Sequence, residues 1–167
     1  MEQQQDRDLI PKREWGPGPW QSEVDESRWI DSLTGLRCAV VRSEWTGSLS
    51  GFVEITHPSL AARVADLPYF LVHGGVNYSG MRFLMEGETR WYLGFCTAHI
   101  TDFAPHMAAL LRRHSTPLDQ LVVALADDGI IRRFYRDLAY VKAECAHLAA
   151  QIADCQRELG LARRMER

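Results

Sequence analysis

The sequence predicts an α+β protein, in which an antiparallel sheet is preceded by an extended N-terminal arm and followed by short helices and one long C-terminal helix. Three observations carry this. Between residues 37 and 99, four apolar, β-branched or aromatic segments follow one another with only brief turns between them, which favours antiparallel pairing. After Pro105 the apolar residues recur at helical rather than strand spacing. From about residue 136 to 164 there is no proline and only one late glycine, Gly160. At roughly 1.5 Å per residue, a helix of that length would extend about 40 Å.

The elements follow in order. Residues 1–36 are polar and contain WGPGPW (15–20) and DSLTG (31–35). Two Gly-Pro steps exclude a helix there, because proline fixes φ and restrains its predecessor. The segment reads as an arm pinned to the body by Trp15 and Trp20. LRCAVVRS, after the Thr34-Gly35 turn, is the first strand, and GSLSGFVEI alternates with a period near two until THPS breaks it. PYFLVHGGVNYSG is a strand running into glycine. TRWYLGFCTAHI is the last strand, entered by a turn at Glu86-Gly87-Glu88. PHMAALLRRH then opens a helix at Pro105 with Asp102 as its cap, and PLDQLVVALADDG makes another, closed by Gly129. The division is therefore a body, residues 1–135 with the arm 1–36, and a C-terminal helix, residues 136–167.

That last helix has the clearest pattern in the chain. Leu138, Val141, Cys145, Leu148, Ile152, Cys155 and Leu159 are spaced alternately three and four apart, a coiled-coil-like a/d stripe. Acidic Asp137 and Glu158 at g positions would meet Lys142 and Arg163 at e positions of a parallel partner. The stripe is narrower than a core-facing helix normally needs, so a homo-oligomer joined through this helix is expected.

Composition narrows the rest. The chain has 167 residues, 46% of them hydrophobic and 25% charged, with a net charge of −3. These values suit a globular domain and give no electrostatic case for nucleic acid. No run reaches the roughly 20 apolar residues of a membrane span. The first residues lack an apolar signal segment, so a cytoplasmic location is expected. Cys38, Cys96, Cys145 and Cys155 show no zinc spacing and read as reduced, mostly buried thiols.

Two polar stretches stand out, HGGVNYSG (73–80) and GFCTAHITD (94–102). Gly74, Gly75 and Gly80 permit close backbone approach, so their amides could cradle an anion, with His73, Asn77, Tyr78, Ser79, Arg82, His99 and Asp102 around it. Tyr78 would stack on a base and Arg82 would neutralise charge. The Walker spacing is absent. A metal is the alternative occupant: His57, His73 and His99 fall at strand ends, and with Asp102 they would suit zinc, iron or manganese. No catalytic residue is assigned. Cys96 reads as an inert thiol within an apolar strand. Counted outward from Gly87 along a hairpin, His73 and His99 come to the same sheet edge.

WGPGPWQSE, HGGVNYSG, GFCTAHITD and YRDLAYVKAE, in this order over residues 15 to about 152, resemble an uncharacterised family of small bacteriophage- and prophage-encoded proteins. Where that family has Asp-Cys, this chain has Cys96-Thr97, so the carboxylate is missing and the thiol turns to the other face of the strand. The resemblance implies phage origin and a site built from His73, Gly74, Gly75, Tyr78, Gly80, His99 and Asp102. The family has no assigned activity, and two functions of different classes are expected from the residues. One is a non-enzymatic anti-defence factor that sequesters a host nucleotide signal or blocks a host defence protein, with no cofactor. The other is a metal-dependent hydrolase using His73, His99 and Asp102.

Overall fold

The computed structural model of the chain describes residues 5–56, 70–82, 84, 89–113, 116–118, 120–121 and 132–165. Among these, six strands form one antiparallel sheet: β1 (Gln5–Arg7), β2 (Glu26–Ile30), β3 (Arg37–Arg42), β4 (Leu49–Ile55), β5 (Tyr78–Arg82) and β6 (Arg90–Cys96), in the order β1-β2-β3-β4-β6-β5. With helices α1 (Pro105–Arg113) and α2 (Leu138–Met165), the architecture is α+β. No helix among the described residues is long and apolar enough to cross a membrane.

Two boundaries differ from the sequence expectation, each for a physical reason. The arm is partly sheet, because β1 and β2 extend the edge beyond β3, with Glu26–Ile30 pairing against Arg37–Val41. Between these strands WGPGPW winds into two short 3-10 turns. Trp15 stacks on His106 at 5.2 Å between centroids, and Trp20 meets Phe103 at 5.3 Å and Tyr135 at 5.1 Å. The expected strand PYFLVHGGVNYSG is extended only at its far end. Gly74 and Gly75 have φ of 65° and 80°, and the Gly75 N–H bonds back to the Val72 carbonyl at 2.9 Å, so a turn precedes β5. His57, the Glu86-Gly87-Glu88 turn and most of the helix expected over 117–129 lie outside the described residues.

The long helix is where the sequence misled most. Val141, Cys145, Leu148 and Ile152 are fully buried and share one core with Cys38, Val40, Leu49, Val53, Leu93 and Phe95 of the sheet. Leu138, Cys155 and Leu159 pack at its margin. The a/d stripe thus lies against the chain's own sheet, and it is not the open seam of a coiled coil. Ala149, also fully buried, widens the stripe to the breadth a core-facing helix needs. On the opposite sheet face a smaller cluster gathers Ala39, Phe52, Leu84 and Tyr92.

A buried polar hub fixes where α2 begins. The Arg42 guanidinium, fully enclosed, donates to Asp25 Oδ1 at 2.8 Å, Glu23 Oε2 at 2.9 Å, the Tyr135 hydroxyl at 2.8 Å and the Gly47 carbonyl at 3.0 Å. Glu23 in turn accepts the Tyr135 hydroxyl and the Leu138 N–H. Asp137 caps the helix by accepting the Tyr140 N–H at 2.8 Å. The first-turn amides of α1, His106 and Met107, are satisfied by the Thr46 carbonyl.

Candidate functional site

The β5–β6 register brings the two histidines together. Tyr78 pairs with Gly94, and His73 and His99 each lie five residues beyond that pair on its open side. Their rings meet at 5.2 Å between centroids, tilted by 57°. The close approach depends on Gly74: a Cβ there would sit 2.0 Å from His99 Cε1 and 2.3 Å from Nε2. Gly75, by contrast, faces open space.

Asp102 is the centre. A tight turn, with the Asp102 N–H bonded to the His99 carbonyl at 2.9 Å, folds its carboxylate back under both rings. Oδ2 lies 2.8 Å from His73 Nε2 and 3.0 Å from His99 Nδ1, and also accepts the His99 backbone N–H at 3.1 Å. Oδ1 accepts Arg136 Nε at 3.1 Å. The Asp102 side chain is fully enclosed. Burial alone would raise its pKa, but the bonds from His73, the His99 amide and Arg136 outweigh it and hold the carboxyl below its ordinary range. With its carboxylate committed to this cluster, Asp102 does not act as the side-chain cap of α1.

Helix α2 and its approach complete the shell. Tyr140 presents its hydroxyl to His73 Nδ1 at 3.0 Å, and Glu144 accepts the His73 N–H at 2.6 Å. One turn-pair further on, Gln151 reads both backbone groups of Leu71, at 2.8 and 2.9 Å. The segment carrying His73 is therefore clamped along one face of the helix. Arg136 lies over the Tyr140 ring at 4.9 Å and the Phe134 ring at 5.6 Å. Arg136, Tyr140 and Glu144 were not among the sequence candidates. The signal available was their spacing of four within YRDLAYVKAE, which marks a polar stripe beside the apolar one.

Of the other candidates, Tyr78 and Arg82 belong elsewhere. Tyr78 meets Phe52 edge-on at 5.6 Å, and Arg82 lies over both rings at 4.3 and 4.4 Å, on the sheet face away from α2. Ser79 accepts the Trp91 indole N–H at 2.8 Å, and Asn77 donates to Cys96 Sγ at 2.9 Å. The Gly75 amide is spent inside its own turn. The expected anion cradle of amides, Tyr78 and Arg82 is accordingly not assembled around the histidines. A Cys96–histidine pair is not formed either, since Cys96 is bonded to Asn77.

What the geometry offers is one ligand atom each from His73, His99 and Asp102, all within 4.8 Å of one another. Two imidazoles and a carboxylate are a donor set for zinc, iron or manganese. The outer contacts fit such a site: Tyr140 holds the second nitrogen of His73, and Arg136 holds the second oxygen of Asp102. The His99 side chain keeps 34% of its surface exposed, so the cluster opens to solvent on that side. Comparison of the chain with protein-family models, with curated proteins and with solved structures finds no match.

Proposed function

We propose that the protein is a metal-dependent hydrolase whose divalent cation is held by His73 Nε2, His99 Nδ1 and the Asp102 carboxylate. The observation that carries this is the convergence of these three donors on clamped segments, open to solvent on the His99 side. Three protein ligands with a position left for water is the pattern of catalytic rather than structural zinc sites. The metal would supply a water acidic enough to attack an ester or amide near neutral pH.

The chain's own groups have distinct tasks. With a metal on Nε2, the Tyr140 hydroxyl 3.0 Å from Nδ1 would accept the Nδ1–H of His73 and hold the ring in the tautomer that leaves Nε2 its lone pair. Arg136 keeps Asp102 ionised and fixes its rotation. Glu144 ties the His73 backbone to the helix, so that the ring cannot swing away.

Sequestration of a nucleotide signal by a phage-encoded protein is the competing proposal. With the Gly75 amide, Tyr78 and Arg82 engaged elsewhere, that proposal also depends on the His–Asp centre. Turnover separates the two. With zinc or manganese added, a panel of nitrophenyl carboxylic and phosphoric esters should be cleaved by the wild type and not by Asp102→Ala. Retention of an added nucleotide without product, in a protein that cleaves none of the esters, would favour sequestration.

A further inference from the structure

We infer that Arg136 and the exposed side of His99 form a recognition site for an oxyanion that carries an apolar group; this rests on the metal-site reading above. Arg136 uses Nε on Asp102, and its terminal amino groups make no hydrogen bond to any described residue. The guanidinium is nevertheless held in one plane, over Tyr140 and Phe134, with 27% of the side chain exposed. A planar fork fixed in this way is shaped for two oxygens of a phosphate or carboxylate. Because Nε and His99 Nδ1 meet the same carboxylate, the free end of the fork stands beside the three candidate ligands.

Charge balance agrees. The carboxylates of Asp102 and Glu144 offset a divalent cation, which leaves the Arg136 charge to be met by the ligand. Phe134 supplies the apolar part. It is 53% exposed although its backbone is fastened to the site turn, with its N–H on the Thr101 carbonyl and its carbonyl on the Phe103 N–H, both at 2.9 Å. An exposed ring next to a cation favours an oxyanion with an aryl or alkyl substituent over inorganic phosphate.

The test titrates phenyl phosphate, methyl phosphate and benzoate into zinc-loaded and chelator-treated protein, and counts zinc in every sample. Wild type should bind phenyl phosphate more tightly than methyl phosphate. Arg136→Gln also weakens the hold on Asp102 and so on zinc; compared with wild type at equal zinc occupancy, reached by adding zinc, it should weaken phenyl phosphate by about tenfold or more, the loss of one charge-assisted contact. Phe134→Ser should erase the preference for phenyl over methyl phosphate. Benzoate binding more tightly than phenyl phosphate would assign the oxyanion to the carboxylate class. Arg136→Lys keeps the charge without the fork; it should lie between wild type and Arg136→Gln, and it carries the test if Arg136→Gln does not fold. Equal affinity in wild type and both Arg136 variants overturns the inference, as does a wild type that binds zinc but none of the anions. A wild type that takes up no zinc, yet loses phenyl phosphate on Arg136→Gln, keeps the anion site and sinks the metal reading instead.

Discussion

Replacing Gly74 by alanine should cost more than replacing Gly75, and the difference measures how closely His99 is fitted. Both residues have positive φ, 65° and 80°. An alanine at either position therefore bears a similar backbone penalty of about 1–2 kcal/mol. Only at Gly74 does the new Cβ collide, at 2.0 Å from His99 Cε1. The ring must swing away and lose its bond to the Asp102 carboxylate, 3.0 Å in length. A hydrogen bond to a charged group is worth about 1.5–3 kcal/mol, and the partly exposed ring puts this one at the lower end. The two variants should then differ by about 1.5 kcal/mol, which at a urea m-value of about 2 kcal/mol/M separates their midpoints by about 0.75 M. Gly74→Ala should also lose zinc, and Gly75→Ala should keep it. Equal urea midpoints with equal zinc uptake would refute the packing of His99 on Gly74.

Three further outcomes follow from the same geometry. Leu148→Glu or Ile152→Glu should unfold the chain, because each site is fully buried against the sheet; a folded protein with native circular dichroism would mean the stripe packs elsewhere. In an unfolded chain Asp102 and Asp25 take up protons near the ordinary value of 3.8, and in the folded protein only at lower pH. Their contribution to stability is thus present above that value and lost as pH falls through the lowered one. Urea midpoints across this range should fall more shallowly for Asp102→Asn than for wild type; parallel profiles would contradict the assignment. Among the thiols, Cys38 and Cys145 should resist maleimide without denaturant, since both are buried, with Cys38 pushed up to about 12 and Cys145 well above its usual range. Cys96 and Cys155, which are half-buried, should label first.

The sheet core was legible because LRCAVVRS, GSLSGFVEI and TRWYLGFCTAHI carry strand chemistry at strand spacing, and β3, β4 and β6 fall within them. Residues 5–7 and 26–30 were read as arm because QDR, at the sheet edge, and ESRWI, next to it, carry little apolar pattern of their own. The pairing of His73 with His99 was also readable, since hairpin counting needs only the alternation and a turn. What could not be read was which neighbour each face receives. An a/d stripe fits a second helix or a sheet equally well until the third dimension decides. The polar stripe of Arg136, Tyr140 and Glu144 has meaning only once α2 lies across the segment holding His73. Tyr78 and Arg82 follow His73 closely in sequence, but strand alternation and the Gly74-Gly75 turn send them to the other face.

The account stands or falls on whether His73, His99 and Asp102 hold a metal. Native mass spectrometry of protein equilibrated with zinc, then passed through a desalting column, counts it directly. One zinc per wild-type chain is expected. His73→Ala, His99→Ala and Asp102→Ala should retain none, and Tyr140→Phe should bind more weakly with the same stoichiometry. Wild-type chains that leave the column without zinc, manganese or iron, or a His99→Ala variant that retains the full equivalent, would contradict it.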